Sequence, residues 1–297
     1  MRVIVSGVNG FVGGHLTREL TQAWHSVIGL GLGPPRSGIA PLLAQYVACD
    51  LTQGWPEVDA DAIVHLAALS AVGPSFGDPQ RYITTNSSAV THMAETLLAS
   101  GRHPRVLLVS TGAVYAPGTH LSETSPTQPS SPYAVSKLVT ELQAAYYRQR
   151  GLDMVVMRPF NHHGPEQRTG FLLADLSAGV REARSSGTTL RVGNLATRRD
   201  YTDVRDVARA YRAAIESSGD LPPLLNVCSG KSHSGNDLLD LVLAELGEVA
   251  VAVDESRLRP GDPAEITGDA TLIGATLGWE PRIALEQTVH DYLHSPL

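Results

Sequence analysis

Cysteine is almost missing from this chain of 297 residues. The two present, Cys49 and Cys228, stand far apart and match no metal or redox spacing. They read as buried, reduced thiols of a cytoplasmic protein, and no metal site is assigned. No apolar run approaches the ~20 residues needed to span a bilayer, which argues against a membrane protein. No signal peptide is expected, because Met1-Arg2-Val3-Ile4-Val5 reads directly as a strand. No Lys/Arg run marks a basic patch, and a formal net charge of -7 argues against a nucleic-acid partner. Internal repeats and low-complexity tails are absent. What remains is ordinary: 42% hydrophobic and 18% charged residues describe a globular protein, long enough for one large α/β domain or two unequal lobes.

The strand Arg2–Val5 is of the buried parallel kind. It runs into Ser6-Gly7-Val8-Asn9-Gly10-Phe11-Val12-Gly13-Gly14, followed by helical periodicity over His15–Leu20. Gly7 permits a tight turn, Gly10 lets backbone approach a pyrophosphate, and Gly13 lets the helix pack close to the strand. Glycine-rich connections occur in any α/β protein, but this strand–loop–helix context makes dinucleotide binding the better reading. The second strand, Val27–Leu30, ends at Gly31, where an NAD-binding unit carries an acidic residue for the ribose hydroxyls. That carboxylate is missing, and Arg36 follows in the loop, placed to pair with a 2′-phosphate. NADP(H) is therefore favoured and NAD(H) stays open; Arg36 is equally explained as a solvated loop residue.

Tyr46–Leu51 predicts another strand, ending at Asp50, which is placed to meet an adenine amino group. Ala62–Ala68 predicts a buried strand whose small last residues let a cofactor lie against the backbone; His65 within it reads as a core histidine. A long helix is predicted over Asp78–Ser100, with Asn86 in its first half. Strand Arg105–Ser110 delivers Ser110-Thr111-Gly112-Ala113 at the carboxyl edge, where open α/β sheets bind ligands. Ser131-Pro132 opens a helix running to about Gly151, which places Tyr133 and Lys137 one turn apart on one face. A fixed positive charge beside a phenol lowers its pKa from about 10 toward neutrality, producing a general acid/base. Such a pair in isolation is more commonly a solvated helix face, so other stretches must decide. Beyond Gly164, helices near 170–185, 204–217 and 234–246 and strands at 190–192 and 249–253 group into a smaller lobe. Residues 224–228 are placed to return to the main sheet.

Gly7-x-x-Gly10-x-x-Gly13, the Ser110-Thr111 strand end and Tyr133-x-x-x-Lys137 occur in the order of the extended short-chain dehydrogenase/reductases. With His65-Leu66-Ala67-Ala68, Arg158-Pro159-Phe160-Asn161, Arg199–Asp206 and Asn226–Gly230, the chain resembles their nucleotide-sugar epimerase/dehydratase branch over essentially its whole length. The resemblance implies a Rossmann-type, doubly wound parallel sheet with a smaller C-terminal substrate lobe. Residues 1–164 would be the dinucleotide-binding domain, joined by segments of 190–230, and 165–297 mainly the nucleotide-sugar-binding lobe. It further implies that Thr111 and Tyr133 hydrogen-bond the reacting sugar oxygen, while Lys137 tunes Tyr133 and binds the nicotinamide ribose. Gly7, Asn9, Gly10, Phe11, Val12, Gly13, Arg36, Asp50, Leu51, Leu66, Ala67, Ala68 and Pro159 would hold the cofactor. Ser70 and Asn161 would contact substrate, and Arg199 and Arg259 would neutralise a diphosphate, whose charge suits arginine's fork. Relatives pair through the two long helices, so a homodimer is expected.

The 4,6-dehydratases of this family carry acidic residues after the threonine; here Gly112 and Ala113 stand there and neither transfers a proton. That leaves reduction or 4-epimerisation. Arg158–Phe171, Val192–Leu195 and Arg198–Asp206 look most like the family's reductases that turn GDP-4-keto-6-deoxy-D-mannose into GDP-D-rhamnose. The guanine base rests on resemblance alone.

Overall fold

Val3, Ile4 and Val5 have no solvent exposure, and Ile63, Val64, Leu107 and Met157 have almost none. Consecutive apolar residues buried on both faces suit a parallel sheet covered by helices on each side. The computed structural model, which describes residues 1–258 and 262–295, has such a sheet. In chain order its first half comprises β1 (Arg2–Ser6), α1 (Phe11–Gln22), β2 (Ser26–Gly31), β3 (Gln45–Ala48), β4 (Ala62–His65), α2 (Val72–Ser75), α3 (Pro79–Ser100), β5 (Arg105–Val109) and α4 (Pro132–Gln149). Then follow β6 (Met154–Pro159), β7 (Asn161–His163), α5 (Leu172–Ser186), β8 (Leu190–Val192), β9 (Arg198–Asp203), α6 (Val204–Glu216) and β10 (Leu224–Val227). The last elements are β11 (Ser232–Ser234), α7 (Gly235–Leu246), β12 (Val251–Val253), β13 (Glu265–Ile266), α8 (Thr271–Leu277) and α9 (Leu285–His294).

The seven parallel strands lie in the order β3-β2-β1-β4-β5-β6-β10, a Rossmann-type arrangement. The chain winds outward from β1 to β3, then restarts at β4 on the other side of β1. The crevice between β1 and β4 is therefore the switch point where such sheets bind ligands. Register keeps the two strand ends level, with Ser6 opposite His65.

Alternation along β1 divides the core. Val3 and Val5 pack with Leu16 and Leu20 of α1 and Val207 and Tyr211 of α6. Ile4 faces the other way, onto Val90 and Met93 of α3 and Ala144 and Tyr147 of α4. Full burial of each large apolar side chain contributes about 1.5–3 kcal/mol, so these two layers fix where the sheet's carboxyl edge lies. A third cluster joins Leu173 and Val180 of α5, Leu190 and Val192, Leu239 and Val242 of α7, and Val289 and Tyr292 of α9. Beside it, β9 pairs parallel with β7 and β13 and antiparallel with β11.

Two boundaries differ from expectation. The third strand stops at Ala48, so Asp50 lies in a turn, where its carboxylate accepts from the Thr52 amide at 2.9 Å and hydroxyl at 2.7 Å. The fourth strand stops at His65, and Leu66–Ser70 continue as irregular backbone at the sheet edge. Both cysteines are free thiols; Cys228 is fully buried as expected, whereas Cys49, beyond the end of β3, is only half-buried. No helix among the described residues is long and apolar enough to cross a membrane.

Candidate active site

Helix α4 starts sharply because Ser131 caps it, accepting from the Ala134 amide at 3.1 Å, and Pro132 occupies the first position. Tyr133 is thereby fixed in the first turn. Tyr133, Lys137 and Glu141 follow at intervals of four on the buried face, each exposed by 9% or less. Glu141 anchors that face: Arg158 grips both of its oxygens, at 2.9 and 2.5 Å, and the Ser110 hydroxyl donates to it. The Arg158 guanidinium also lies 4.5 Å from the Tyr115 ring centre. Strands β5 and β6 and helix α4 are thus locked together beneath the site.

Thr111 opens a short turn after β5, its hydroxyl accepting from the Ala113 amide at 3.2 Å, and it is close enough to the Tyr133 phenol to lower its pKa. Lys137 donates from Nζ to the Val109 carbonyl at 2.7 Å. The structure therefore brings Thr111, Tyr133 and Lys137 together at the carboxyl edge. It corrects one expectation about them. Burial pushes the Tyr133 phenol up to about 12, opposed by the Thr111 side chain, and Lys137 is not among the groups that move it. Desolvation outweighs a charge directed at a carbonyl. Burial likewise lowers the Lys137 ammonium to about 8, with Glu141 opposing.

The glycine loop forms a cradle for a dinucleotide. Gly7 adopts φ +69°, and a Cβ there would stand 2.8 Å from the Ala67 backbone nitrogen. At Gly13 a Cβ would stand 2.6 Å from the carbonyl oxygens of Gly7 and Val8. Helix α1 has no side-chain cap at Gly10 and no acidic residue in its first turn, which leaves its amide groups at Phe11 and Val12 free for an anion. Ala67 and Ala68 border the same crevice beyond β4, Leu51 is buried in the core layer with Ile28, Leu30 and Ile63, and Pro159 closes β6. These features fit a pyrophosphate-linked dinucleotide. His65 is a core residue, 3% exposed, bonded to the Ser6 hydroxyl at 2.8 Å and lowered to about 3 by burial.

Two cofactor assignments take a different form. Asn9 does not reach outward: its side chain binds Pro34 O, the Tyr46 hydroxyl and the Arg36 amide at 3.0–3.1 Å, pinning the loop after β2. The Arg36 guanidinium is held by Glu166 at 2.5 Å, and Glu166 also pairs with Arg18 at 2.6 Å. Glu166 sits at φ +66°, uncommon for a side-chain-bearing residue.

A cleft of about 430 Å³ opens beside Thr111, lined in part by Gly112, Ala113, Tyr115, Phe160, Asn161 and Arg199. Ser70 is exposed in the loop after β4, outside this lining. Arg199 donates to Pro263 O at 2.9 Å and to Asp262 at 2.5 Å, rather than pairing with Asp200 or Asp203. Asp200, the other carboxylate of the lining, accepts from the amides of Ser229, Gly230 and Gly268 and the Ser229 hydroxyl. Arg259 lies outside the described residues. A Cβ at Gly112 would stand 3.0 Å from the Phe160 ring, so a side chain there requires the ring to shift.

One positioning residue was visible in the sequence but unassigned. Asn86, 2% exposed, accepts from the Leu69 amide at 2.8 Å and donates to Leu69 O and the Ser136 hydroxyl. It ties the cofactor-side loop to α4. The available signal was an amide interrupting the apolar face Tyr82, Ala89, Val90, Met93 of α3.

Comparison with known proteins accords with this geometry. The family model described as "Epimerase: NAD dependent epimerase/dehydratase family" matches residues 3–228. The chain is 33% identical over 301 residues to GDP-6-deoxy-D-mannose reductase of Pseudomonas aeruginosa, covering 98% of this chain and 96% of the relative. The structure of RMD from Pseudomonas aeruginosa complexed with NADPH matches with a TM-score of 0.84 at 29% identity, over 98% of this chain and 97% of that one. The UDP-glucose 4-epimerase of Thermus thermophilus in complex with NAD matches with a TM-score of 0.86 at 27% identity, over 99% and 98%. On the full-length match, the crevice at β1 and β4, and the Thr111–Tyr133–Lys137 cluster, the chain belongs to the NAD dependent epimerase/dehydratase family, within the extended short-chain dehydrogenase/reductases.

Proposed function

We propose that this protein reduces a 4-keto-6-deoxy sugar carried on a nucleoside diphosphate, of the GDP-4-keto-6-deoxy-D-mannose to GDP-D-rhamnose type, drawing on NADPH. The observation that carries this reading is the state of the cleft's reacting end. A buried phenol raised to about 12 stays protonated at neutral pH, next to Thr111 and to two residues that hold no acid. A bound nicotinamide supplies the hydride. Tyr133 gives its proton to the alkoxide oxygen that forms at the sugar's C4, because an alkoxide is more basic than a phenolate. Thr111 shares the charge on that oxygen as it develops. Lys137, held on the Val109 carbonyl one helical turn further along α4, is assigned to the ribose of the bound nicotinamide nucleotide.

Elimination of water needs a carboxylate near the sugar's C5 and C6, and the two that line the cleft are engaged: Asp262 by Arg199 and Asp200 by four donors. Phe160 crowds Gly112, so a carboxylate-bearing residue there would have to displace its ring. Arg199 and Asn161 on neighbouring strands β9 and β7 suit the diphosphate, with Asp262 exchanged for it on binding. A 4-epimerase is the second reading, favoured by the likeness to the NAD-bound epimerase. NADPH loss with GDP-4-keto-6-deoxy-D-mannose supports reduction. Purification with retained NAD and interconversion of two nucleotide hexoses without added cofactor would replace it with epimerisation. The exposed Leu142 and Tyr146 on α4 suit pairing of two copies through α3 and α4.

A further inference from the structure

We propose that Glu245, His290 and His294 form a binding site for one divalent transition-metal ion, joining α7 to α9. The inference is independent of the reductase reading. His290 and His294 lie four apart near the end of α9 and so share one helix face. Their ring centres are 4.3 Å apart, with planes at 87°. Glu245 comes from the last turn of α7 and reaches both: one oxygen is 3.0 Å from His290 Nδ1, the other 3.3 Å from His294 Nε2. The three ligand atoms all lie within 4.8 Å of one another, and all three residues are exposed, so an ion has free entry.

The donor set is specific in its chemistry. Two imidazoles and a carboxylate match zinc, nickel and cobalt, whereas magnesium and calcium seek all-oxygen shells. Donors around a tetrahedral ion at about 2.0–2.1 Å stand roughly 3.4 Å from each other. The two carboxylate–imidazole spacings, 3.0 and 3.3 Å to different Glu245 oxygens, lie close to that figure, and a bidentate carboxylate or small side-chain rotations complete the set. Without an ion, each of these contacts needs a ring N–H pointed at the carboxylate; a metal replaces those protons. The supporting helices are already held in place, since Leu239, Val242 and Leu243 of α7 share a core with Val289, Tyr292 and Leu293 of α9. Asp291 does not compete, because Arg205 and Gln287 each hold one of its oxygens at 2.6 Å. Three protein ligands leave at least one position to water.

The test uses the full-length chain without an affinity tag. Zinc titration against a chromophoric chelator is expected to show one equivalent bound, with no competition from magnesium. His290→Ala and His294→Ala are each expected to weaken it about tenfold or more. Saturating zinc is expected to raise the melting temperature of the native chain and not of the double variant, since only a ligand of the native state stabilises it. Cobalt supplies a readout that needs no variant, a visible absorption band from imidazole and carboxylate ligation. Equal zinc affinity in the native chain and the double variant, or no visible band with cobalt, would leave only a surface carboxylate–imidazole pair and overturn the proposal.

Discussion

Replacing Lys137 by methionine is expected to make the protein more stable while destroying its activity. Lys137 is 6% exposed, and its ammonium has the Val109 carbonyl as its hydrogen-bond partner. The nearby carboxylate, Glu141, is already committed to Arg158 and Ser110. Burial brings the amine from its ordinary 10.5 to about 8, which corresponds to about 3 kcal/mol of unfavourable charge burial. Methionine has similar length and no charge. It forfeits the bond from a charged donor to Val109, worth about 2 kcal/mol, so the net gain at pH 7 is about 1 kcal/mol. In a chain of this size that raises the melting temperature by roughly 1–2 °C. The pH dependence follows from linkage. Because the folded-state pKa lies below the unfolded one, the penalty is fully present below about pH 8 and disappears as pH rises from about 8 toward 10.5. Denaturant titrations of native and Lys137→Met protein across that range should therefore converge. A variant less stable than the parent at pH 7, or an unchanging difference up to pH 10, would refute the view that Lys137 is a charge kept for function at a cost in stability.

Three other changes separate the parts of the site. Gly112→Ala should destabilise by about 1–3 kcal/mol, since its methyl meets the Phe160 ring at 3.0 Å; a melt indistinguishable from the parent would mean the ring yields freely. Arg36→Ala should raise KM for NADPH about tenfold or more and leave that for NADH alone, as loss of one charged phosphate contact does; equal effects on both would confine Arg36 to holding Glu166. Asn86→Ala removes three hydrogen bonds to Leu69 and Ser136 and should cost about 1–3 kcal/mol together with a fall in kcat; lost stability with unchanged kcat would remove it from site positioning.

The main sheet was legible because its strands are apolar on both faces, and the long helices were legible because Asp78 and Ser131 are caps. Strand β9 was not. Arg198-Arg199-Asp200-Tyr201-Thr202-Asp203 is polar, yet four of its residues are buried at the centre of the smaller sheet. It tolerates that burial because its charges have distant partners: Asp200 meets the Ser229, Gly230 and Gly268 amides, and Asp203 meets Thr288. Such pairings leave no trace in local periodicity. Arg36 shows the same limit, since its partner Glu166 is 130 residues away. That Thr111, Tyr133 and Lys137 would meet at the carboxyl edge was readable from motif and spacing, but the protonation state of Tyr133 was not. One turn of helix predicted an acidic phenol, and only the depth of burial shows that desolvation wins.

The most direct measurement is NADPH oxidation by the native protein and by Tyr133→Phe, with GDP-4-keto-6-deoxy-D-mannose as substrate. The native protein should consume one NADPH for each product formed. The variant, which keeps the ring and loses the proton donor, should fall by about 10²–10⁴-fold in kcat with KM little changed. Native protein that oxidises no NADPH with any 4-keto nucleotide sugar, or a phenylalanine variant that turns over as fast as the parent, would contradict the account.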